Sequence, residues 1–211
     1  MTDQALEWCR SYIDHACIFR SPSGQRHLVG KDDRSNIWQF YLPVATLDQR
    51  FRIALGRLFW ERFYTEFKSR PFQLCGCESG GVPLICALQA AAYARGFTVN
   101  IFAIKQSHKS YGIKNWIEGM IVPDMPVLLV DDVVGGKGTL TTQAGRLREF
   151  GLEVTAAFCI ASCKDKPPLS FKLGDRAIDI AVLYGPDAFA RTHETYLAKY
   201  GKQPQFQGSL R

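Results

Sequence analysis

Apolar residues recur along the chain at two spacings, which predict that helices and strands alternate. Apolar positions at intervals of three and four predict helices over residues 3–17, 47–68, 84–95 and 140–150. Short continuous apolar runs predict buried strands at 73–77, 98–104, 127–130, 154–161 and 177–183. Such alternation is typical of an α/β domain, so we expect a central, mostly parallel sheet flanked by helices.

Two of the helical patterns also predict which side chains face the core. In the helix at 47–68 these are Ile53, Leu55, Leu58, Phe59, Phe63 and Phe67. In the helix at 140–150 they are Leu140, Ala144, Leu147 and Phe150, and Gly151 ends the helix. Residues 1–46, irregular from residue 31, are expected to form a small N-terminal hood. Residues 200–211 are expected to form a flexible tail. Residues 1–211 are expected to form a single domain.

The stretch from Val127 to Leu140 combines a strand, an acidic pair and a glycine-rich turn that leads into a helix. Asp131 and Asp132 fall at the carboxyl end of the strand, where open α/β sheets bind their ligands. Successive side chains diverge along a strand, so two such carboxylates suit two neighbouring hydroxyls. Backbone N–H groups in the turn suit a phosphate, and they come from Gly135, Gly136, Lys137, Gly138 and Thr139.

This combination predicts a ligand with a phosphate beside a vicinal diol, such as a ribose phosphate. Two other phosphate-binding patterns are excluded by spacing. A P-loop requires Gly-Lys-Ser/Thr, whereas Lys137 is followed by Gly138. A phospho-acceptor domain has its acid pair in the first strand region, whereas Asp131 lies past the middle of the chain.

The same stretch resembles the motif with which type I phosphoribosyltransferases bind 5-phosphoribosyl 1-diphosphate (PRPP). Val127–Val134 and Thr139 match it, and Gly135-Gly136-Lys137 replaces the usual hydroxyl residues. The resemblance implies that the turn binds the 5′-phosphate and that Asp131 and Asp132 bind the ribose hydroxyls. It also implies Mg²⁺ as cofactor, brought in with PRPP, with no direct protein ligand expected other than these two carboxylates.

A second glycine turn resembles the pyrophosphate loop of orotate phosphoribosyltransferases. The predicted strand at 73–77 runs into Glu78-Ser79-Gly80-Gly81-Val82-Pro83, and Pro83 suits the first turn of the next helix. By this resemblance the backbone donors of Ser79, Gly80 and Gly81 bind the pyrophosphate of PRPP.

The segment 105–119 resembles the catalytic loop of the same family, and its low apolar content predicts an exposed, mobile loop. The matching or conservative positions are Lys105, Lys109, Tyr111, Gly112, Ile117, Glu118 and Gly119. The resemblance implies that Lys105 binds pyrophosphate and that Lys109 is catalytic and meets the departing pyrophosphate. It also implies a homodimer in which this loop closes over the site of the neighbouring subunit.

The contacts to the base are expected at Phe19, Arg20 and Lys164. Phe19 opens a segment similar to the Phe…Lys-Ser-Gly segment of orotate phosphoribosyltransferases, although Pro22 stands at the lysine position. Lys164 lies where that family has an arginine.

Because both expected cations are replaced, the acceptor is left open between orotate, another pyrimidine and a purine. Two non-enzymatic functions also fit the pattern: a PRPP-binding regulator without catalysis, and an α/β module that binds an unrelated ligand.

Charge and composition limit the classes of partner that we expect the chain to bind. The net charge of +6 suits an anionic small molecule, and without a basic run no nucleic-acid partner is expected. No apolar run approaches the ~20 residues of a membrane span, and the N-terminus lacks a secretory signal pattern, so we expect a cytoplasmic protein without a membrane partner.

The seven cysteines lack the spacing of a disulfide framework. Those in apolar segments are expected to be reduced core residues: Cys75, Cys77, Cys86, Cys159 and Cys163.

Overall fold

The computed structural model describes residues 2–20, 28–29, 35–36, 38–106, 115–136, 138–164 and 169–189. In this part of the chain the helices are α1 (Thr2–Ala16), α2 (Pro43–Thr46), α3 (Gln49–Ser69), α4 (Gly81–Ala94) and α5 (Gly138–Glu149). The strands before α4 are β1 (Ile18–Arg20), β2 (Leu28–Val29), β3 (Ser35–Asn36), β4 (Trp38–Phe40) and β5 (Gln73–Cys77). The later strands are β6 (Ile101–Ile104), β7 (Ile117–Gly119), β8 (Val127–Val134), β9 (Val154–Ser162), β10 (Ser170–Leu173) and β11 (Arg176–Tyr184).

Among the described residues, one large sheet has the strand order β10-β11-β9-β8-β5-β6-β7. The five inner strands run parallel, and β10 and β7 close the two edges in antiparallel pairings. The prediction of a mostly parallel α/β sheet is therefore confirmed. The first strands lie outside this sheet, because β1 pairs with β4 and β2 pairs with β3.

The sheet is buried on both faces because alternate residues of its strands pack against different helices. Leu128 and Val130 of β8 lie in a core shared with α1, α3 and α4. Leu129, between them, lies in a second core shared with α5. This two-sided burial explains why the inner strands are continuous apolar runs instead of alternating patterns.

Helix α3 packs closely on α4. A Cβ added to Gly56 would lie 2.5 Å from the Cβ of Ala91, so the absence of a side chain lets the two helices touch there. The buried Trp60 donates its indole N–H to the Leu88 carbonyl at 2.7 Å. Asp48 caps the start of α3 by accepting the N–H groups of Arg50 and Phe51.

Two side chains predicted to face the core are exposed. Ile53 is 49 % exposed because it lies beyond the Gly56–Ala91 contact, in the wall of a surface cavity between α3 and α4. Phe150 is 47 % exposed because α5 ends at Glu149 and the helical spacing no longer sets its direction.

Several element boundaries also differ from the predictions. Residues 98–100 form no strand, and β6 begins only at Ile101. The stretch predicted to be irregular contains β4 and α2. The edge strand β10 was not predicted, since Ser170–Leu173 is a short mixed run outside the apolar pattern. In the described part of the chain no helix combines the length and the apolar character needed to cross a bilayer.

Candidate active site

The carboxyl ends of parallel strands meet at one edge of the sheet, and both glycine turns lie there. Strand β5 ends at Cys77, just before the turn at residues 78–80, and β8 ends at Val134, just before Gly135 and Gly136 of the second glycine turn. The two strands are neighbours and run parallel. In α/β proteins this edge is where ligands bind, because turns and helix N-termini converge on it.

The acidic pair belongs to β8 itself. The strand was predicted to end at Val130, but its pairing with β9 continues to Val134. Asp131 is only 9 % exposed, and Asp132 is half-buried. The backbone N–H of Asp132 donates to Asp131 Oδ1 at 3.0 Å, and that of Val133 donates to Asp132 Oδ1 at 2.8 Å. Each carboxylate is thus held by a donor one residue further along the strand.

Gly80 lies directly against the Asp132 carboxylate. A Cβ built on Gly80 would lie 2.5 Å from Asp132 Oδ1 and would overlap Asp132 Cγ. A side chain at this position would force the turn or the carboxylate to move, so the first glycine turn and the acidic pair, 52 positions apart in sequence numbering, form one surface.

Helix α4 begins on the same surface. A Cβ on Gly81 would overlap the Val130 carbonyl oxygen, so the helix N-terminus also rests on β8. The peptide bond between Glu78 and Ser79 is cis. Ser79 is exposed, whereas Gly81 is buried.

The second glycine turn leads into α5. Gly135 and Gly136 form the turn, and Gly138 and Thr139 are the first residues of the helix. Gly136 and Gly138 are exposed, which leaves their backbone accessible to a ligand. Lys137 lies outside the described residues.

Two buried thiols, those of Cys77 and Cys159, lie near the acidic pair. Burial raises the pKa of Cys77 and Cys159 well above the ordinary value, and the negative charge of Asp131 raises both further. These thiols therefore stay protonated and are poor metal ligands. Among the described residues no group of three or more His, Cys, Asp or Glu side chains could hold a metal ion.

Not all of the expected core cysteines are buried. Cys75, Cys77 and Cys159 are, but Cys86 and Cys163 are exposed, since Cys86 lines the surface cavity between α3 and α4 and Cys163 follows the last residue of β9.

The start of the segment 105–119 is not the exposed loop that was predicted. Lys105 is 5 % exposed, and its Nζ pairs with Glu118 Oε1 at 2.5 Å. Its backbone N–H donates to the Trp116 carbonyl at 2.9 Å, next to the antiparallel pairing of β6 and β7. The pairing continues the sheet into the segment and accounts for the burial of Lys105 at its start, whereas Glu118 and Gly119 at its end are exposed. Lys109, the expected catalytic lysine, lies outside the described residues.

The expected base contacts are only partly described. Phe19 and Arg20 are in β1, and the described part of the structure does not include their side chains. Lys164 is exposed beyond the end of β9, where its backbone N–H is bonded to the Ser162 hydroxyl at 3.1 Å.

Two side chains of α5 that the sequence pattern did not single out reach the same edge. Gln143 is buried and donates to the Lys105 carbonyl at 3.3 Å. Arg146 donates to the Lys105 and Gln106 carbonyls and stacks on Trp116. Polar residues on a helix usually face solvent, so no local pattern in the sequence indicates these long-range contacts.

A separate cavity of about 480 Å³ lies between α3 and α4. Its described lining includes three arginines, Arg52, Arg57 and Arg95, over a floor rich in alanine. Neither glycine turn nor the acidic pair contributes to it. The candidate site is thus an open edge of the sheet, separate from this cavity.

Curated orotate phosphoribosyltransferases are similar to the chain in sequence. The chain is 28% identical over 89 residues to that of Sorangium cellulosum, covering 41% of this chain and 46% of the relative. It is 31% identical over 85 residues to that of Streptomyces avermitilis, covering 40% and 47%. The chain thus spans about half the length of these two relatives.

With the enzyme of Leptospira biflexa the match is longer, 25% identical over 162 residues, 75% of this chain and 82% of the relative. No protein-family model matches the chain.

Solved phosphoribosyltransferases have the same fold. Orotate phosphoribosyltransferase of Mycobacterium tuberculosis superposes with a TM-score of 0.65 at 17% identity, covering 87% of this chain and 98% of that one. The enzyme of Aeropyrum pernix gives 0.61 at 17% identity, covering 95% and 98%. Adenine phosphoribosyltransferase of Trypanosoma brucei gives 0.63 at 15% identity, covering 88% and 83%. The chain therefore has the type I phosphoribosyltransferase fold.

Proposed function

We propose that this protein is a PRPP-dependent phosphoribosyltransferase, which transfers the phosphoribosyl group to a nitrogen of a nucleobase and releases pyrophosphate. The observation that supports it best is the contact of Gly80 with the Asp132 carboxylate. This contact joins an acidic pair and a glycine turn beside a second glycine turn at the ligand edge of the sheet. Sequence similarity to orotate phosphoribosyltransferases supports the same function.

Each part of the site then binds one part of PRPP. The backbone N–H groups of residues 135–139 bind the 5′-phosphate of PRPP, since a glycine turn at a helix N-terminus attracts anions. Asp131 and Asp132 accept hydrogen bonds from the ribose hydroxyls. The turn Ser79–Gly81, at the N-terminus of α4, binds the pyrophosphate.

Lys105 is assigned a smaller part than the sequence predicted. Its ammonium is paired with Glu118, so it balances that carboxylate in this conformation. Lys109 is still the proposed cation for the departing pyrophosphate.

The residues present fit Mg²⁺ brought in with PRPP. Mg²⁺ prefers oxygen ligands and is commonly held by one or two carboxylates together with substrate phosphates. Asp131 and Asp132 are the carboxylates at this edge, and the thiols beneath them are protonated. Bound there, Mg²⁺ would neutralise charge on the pyrophosphate.

The reaction replaces one bond at C1′ of PRPP with another. The base nitrogen forms a bond to C1′ as the C1′–O bond to pyrophosphate breaks, and the nitrogen loses its proton. The transition state resembles an oxocarbenium ion. Holding ribose and pyrophosphate at fixed positions supplies orientation, and the fixed N–H dipoles stabilise the charge that develops on the leaving group.

Orotate is the first candidate acceptor because the similar curated sequences are orotate phosphoribosyltransferases. The likeness in fold to an adenine phosphoribosyltransferase keeps purines among the candidates. We also propose a cytoplasmic location, which the seven unbridged thiols support, since reducing compartments keep thiols out of disulfides.

The test of function measures pyrophosphate release from PRPP and Mg²⁺ with orotate, uracil and a purine panel. We expect release with one of these bases, and Asp131→Asn and Asp132→Asn should each lower it by about 10²-fold or more. Asp124→Asn is the matched control, because Asp124 is exposed and its positive φ of 59° suits asparagine. Binding of PRPP without release with any base would make the protein a regulator, and full activity of both site variants would refute the proposed roles.

We also propose a homodimer in which the segment 105–119 of one subunit completes the site of the other. Equal amounts of Asp132→Asn and Lys109→Ala protein, unfolded and refolded together, test it. A shared site predicts about a quarter of wild-type activity, from the one intact site in each mixed dimer. An inactive mixture whose chains are shown to form mixed dimers by mass would refute sharing.

A further inference from the structure

Arg146 of α5 contacts residues at both ends of the connection between β6 and β7. Its Nη1 donates to the Lys105 carbonyl at 3.2 Å and to the Gln106 carbonyl at 3.0 Å. Its guanidinium also lies over the Trp116 ring, 3.9 Å from the ring centroid. One side chain of α5 therefore contacts the residues after β6 and the residue before β7.

The neighbouring Gln143 holds Arg146 in this orientation. Gln143 is 2 % exposed, and its Oε1 lies 3.5 Å from Arg146 Nη1. Its Nε2 donates to the same Lys105 carbonyl at 3.3 Å. A buried amide with both ends engaged has few alternative orientations, so the guanidinium meets a fixed partner.

Gln106 extends these contacts to the first glycine turn. Its Nε2 donates to the carbonyl oxygen of Glu78 at 2.5 Å. Glu78 immediately precedes Ser79, Gly80 and Gly81, the proposed pyrophosphate donors. The position of the Gln106 backbone, which Arg146 holds, therefore bears on where this turn lies.

Arg146 is also tied to the second glycine turn, because it belongs to the helix that begins at Gly138. The distance along α5 is eight residues, about 12 Å at 1.5 Å per residue. Arg146 thus belongs to the helix that begins at the proposed 5′-phosphate turn, and it contacts Gln106, which reaches the proposed pyrophosphate turn.

We propose that Arg146 is a positioning residue that holds Gln106, and through it the turn Ser79–Gly81, in register with the 5′-phosphate turn. The inference rests on the proposed function, because that function assigns pyrophosphate to the turn. The planar guanidinium is needed for this role: it donates to two carbonyls while stacking on an indole, which an ammonium does not reproduce.

The experiment compares Arg146→Gln, Arg146→Lys and wild type in the binding of two ligands by calorimetry with Mg²⁺ present. The ligands are pyrophosphate and ribose 5-phosphate, which probe the two ends separately. Arg148→Gln is the matched control, because it removes the same charge from the same helix at an exposed position. Hydrogen exchange at the amides of Lys105 and Glu78 is followed in every variant.

We expect Arg146→Gln to weaken pyrophosphate binding about tenfold, within the ~10²-fold loss that a misplacement of one ångström produces. Ribose 5-phosphate binding should change less than about twofold, since the substitution touches neither Gly135 and Gly136 nor the first turn of α5. Arg146→Lys should resemble Arg146→Gln, with faster exchange at both amides, and Arg148→Gln should resemble wild type.

Three results would overturn the inference. Full rescue by Arg146→Lys would mean that only the positive charge matters. Equal weakening of both ligands would mean general damage to α5, and unchanged pyrophosphate binding in Arg146→Gln would mean that the contacts have no effect on the turn. Wild-type protein that binds neither ligand would instead refute the proposed function, and the inference with it.

Discussion

At the scale of single residues, the proposed site depends on a position where a side chain is absent. Asp132 approaches the backbone of Gly80 so closely that an added Cβ would overlap the carboxylate. The carboxylate accepts the backbone N–H of Val133, and β8 pairs with β9 at the residues on both sides of Asp132. The turn at residues 78–81 would therefore have to move if Gly80 carried a side chain.

Gly80→Ala should consequently impair PRPP binding more than folding. Overpacking typically costs about 1–3 kcal/mol of stability, which a domain of this size tolerates, whereas the displaced turn would lose its register with Asp132. We expect PRPP affinity by calorimetry to fall at least about tenfold while the protein stays folded, since small misplacements are costly in a site of fixed donors.

The control for that substitution is Gly145→Ala. Gly145 lies within α5, and a Cβ there would meet nothing within 4 Å. Alanine is the better helix former by about 1 kcal/mol, so this variant should be slightly more stable and bind PRPP normally. Normal PRPP affinity in Gly80→Ala would show that the turn adapts, and would weaken the assignment of pyrophosphate to it.

At the scale of elements, the sequence predicts whether a segment is a helix or a strand better than it predicts which element packs against it. The strand at Gln73–Cys77 was predicted with the observed bounds, because a short apolar run between a helix and a glycine turn has few other conformations open to it. Ile53 was assigned to the core because helical spacing says which residues share a face. Spacing does not say where a neighbouring helix stops covering that face, and α4 leaves Ile53 beside a cavity.

The side chain of Asp48 caps the start of α3. Asp48 accepts the N–H groups of Phe51 and Arg50, and these bonds lower its pKa. A lowered pKa in the folded state means that the cap stabilises the protein above the ordinary carboxyl pKa of about 4, and that this contribution is lost as the pH falls through the lower folded value.

Asp48→Ala should therefore cost about 1 kcal/mol in urea unfolding at pH 7, the usual value of an N-cap, and the difference from wild type should shrink as the pH falls below the ordinary carboxyl pKa of about 4. Asp48→Asn keeps the acceptor and should cost less. Glu61→Ala, at an exposed position of the same helix, should change stability by less than about 0.5 kcal/mol. A cost for Asp48→Ala that does not vary with pH would contradict the role of the charged form.

At the scale of the whole molecule, the location of the proposed site was predictable and its inner contacts were not. The acidic pair lies near the end of β8 and each glycine turn follows a strand, and parallel strands end at a common edge, so their meeting follows from topology. Arg146 contacts the Lys105 carbonyl, about 40 residues earlier in the chain. The charged side chain of Lys105 is buried in a pair with Glu118. Spacing along the sequence contains no information on such pairs, because the partner is chosen by tertiary packing.

The cysteines differ in exposure, so their reaction with thiol reagents reports on both the fold and the proposed site. Five thiols are buried, and burial raises the pKa of Cys9 and Cys17 to about 12 and that of Cys75, Cys77 and Cys159 well above the ordinary value. Thiol reagents attack the thiolate, so these five should stay unmodified in native protein at pH 8. Cys86 and Cys163 are exposed and should react quickly.

PRPP should distinguish the two reactive thiols. Cys163 Sγ lies within 2.9 Å of the point where a Cβ on Gly135 would be, so a phosphate in the second glycine turn lies close to it. Cys86 lines the cavity between α3 and α4, away from both turns. With Cys86→Ser and Cys163→Ser proteins to assign each signal, PRPP and Mg²⁺ should slow modification of Cys163 and leave that of Cys86 unchanged. Equal protection of both thiols would point to a general tightening of the fold, and protection of Cys86 alone would move the PRPP site to the α3–α4 cavity.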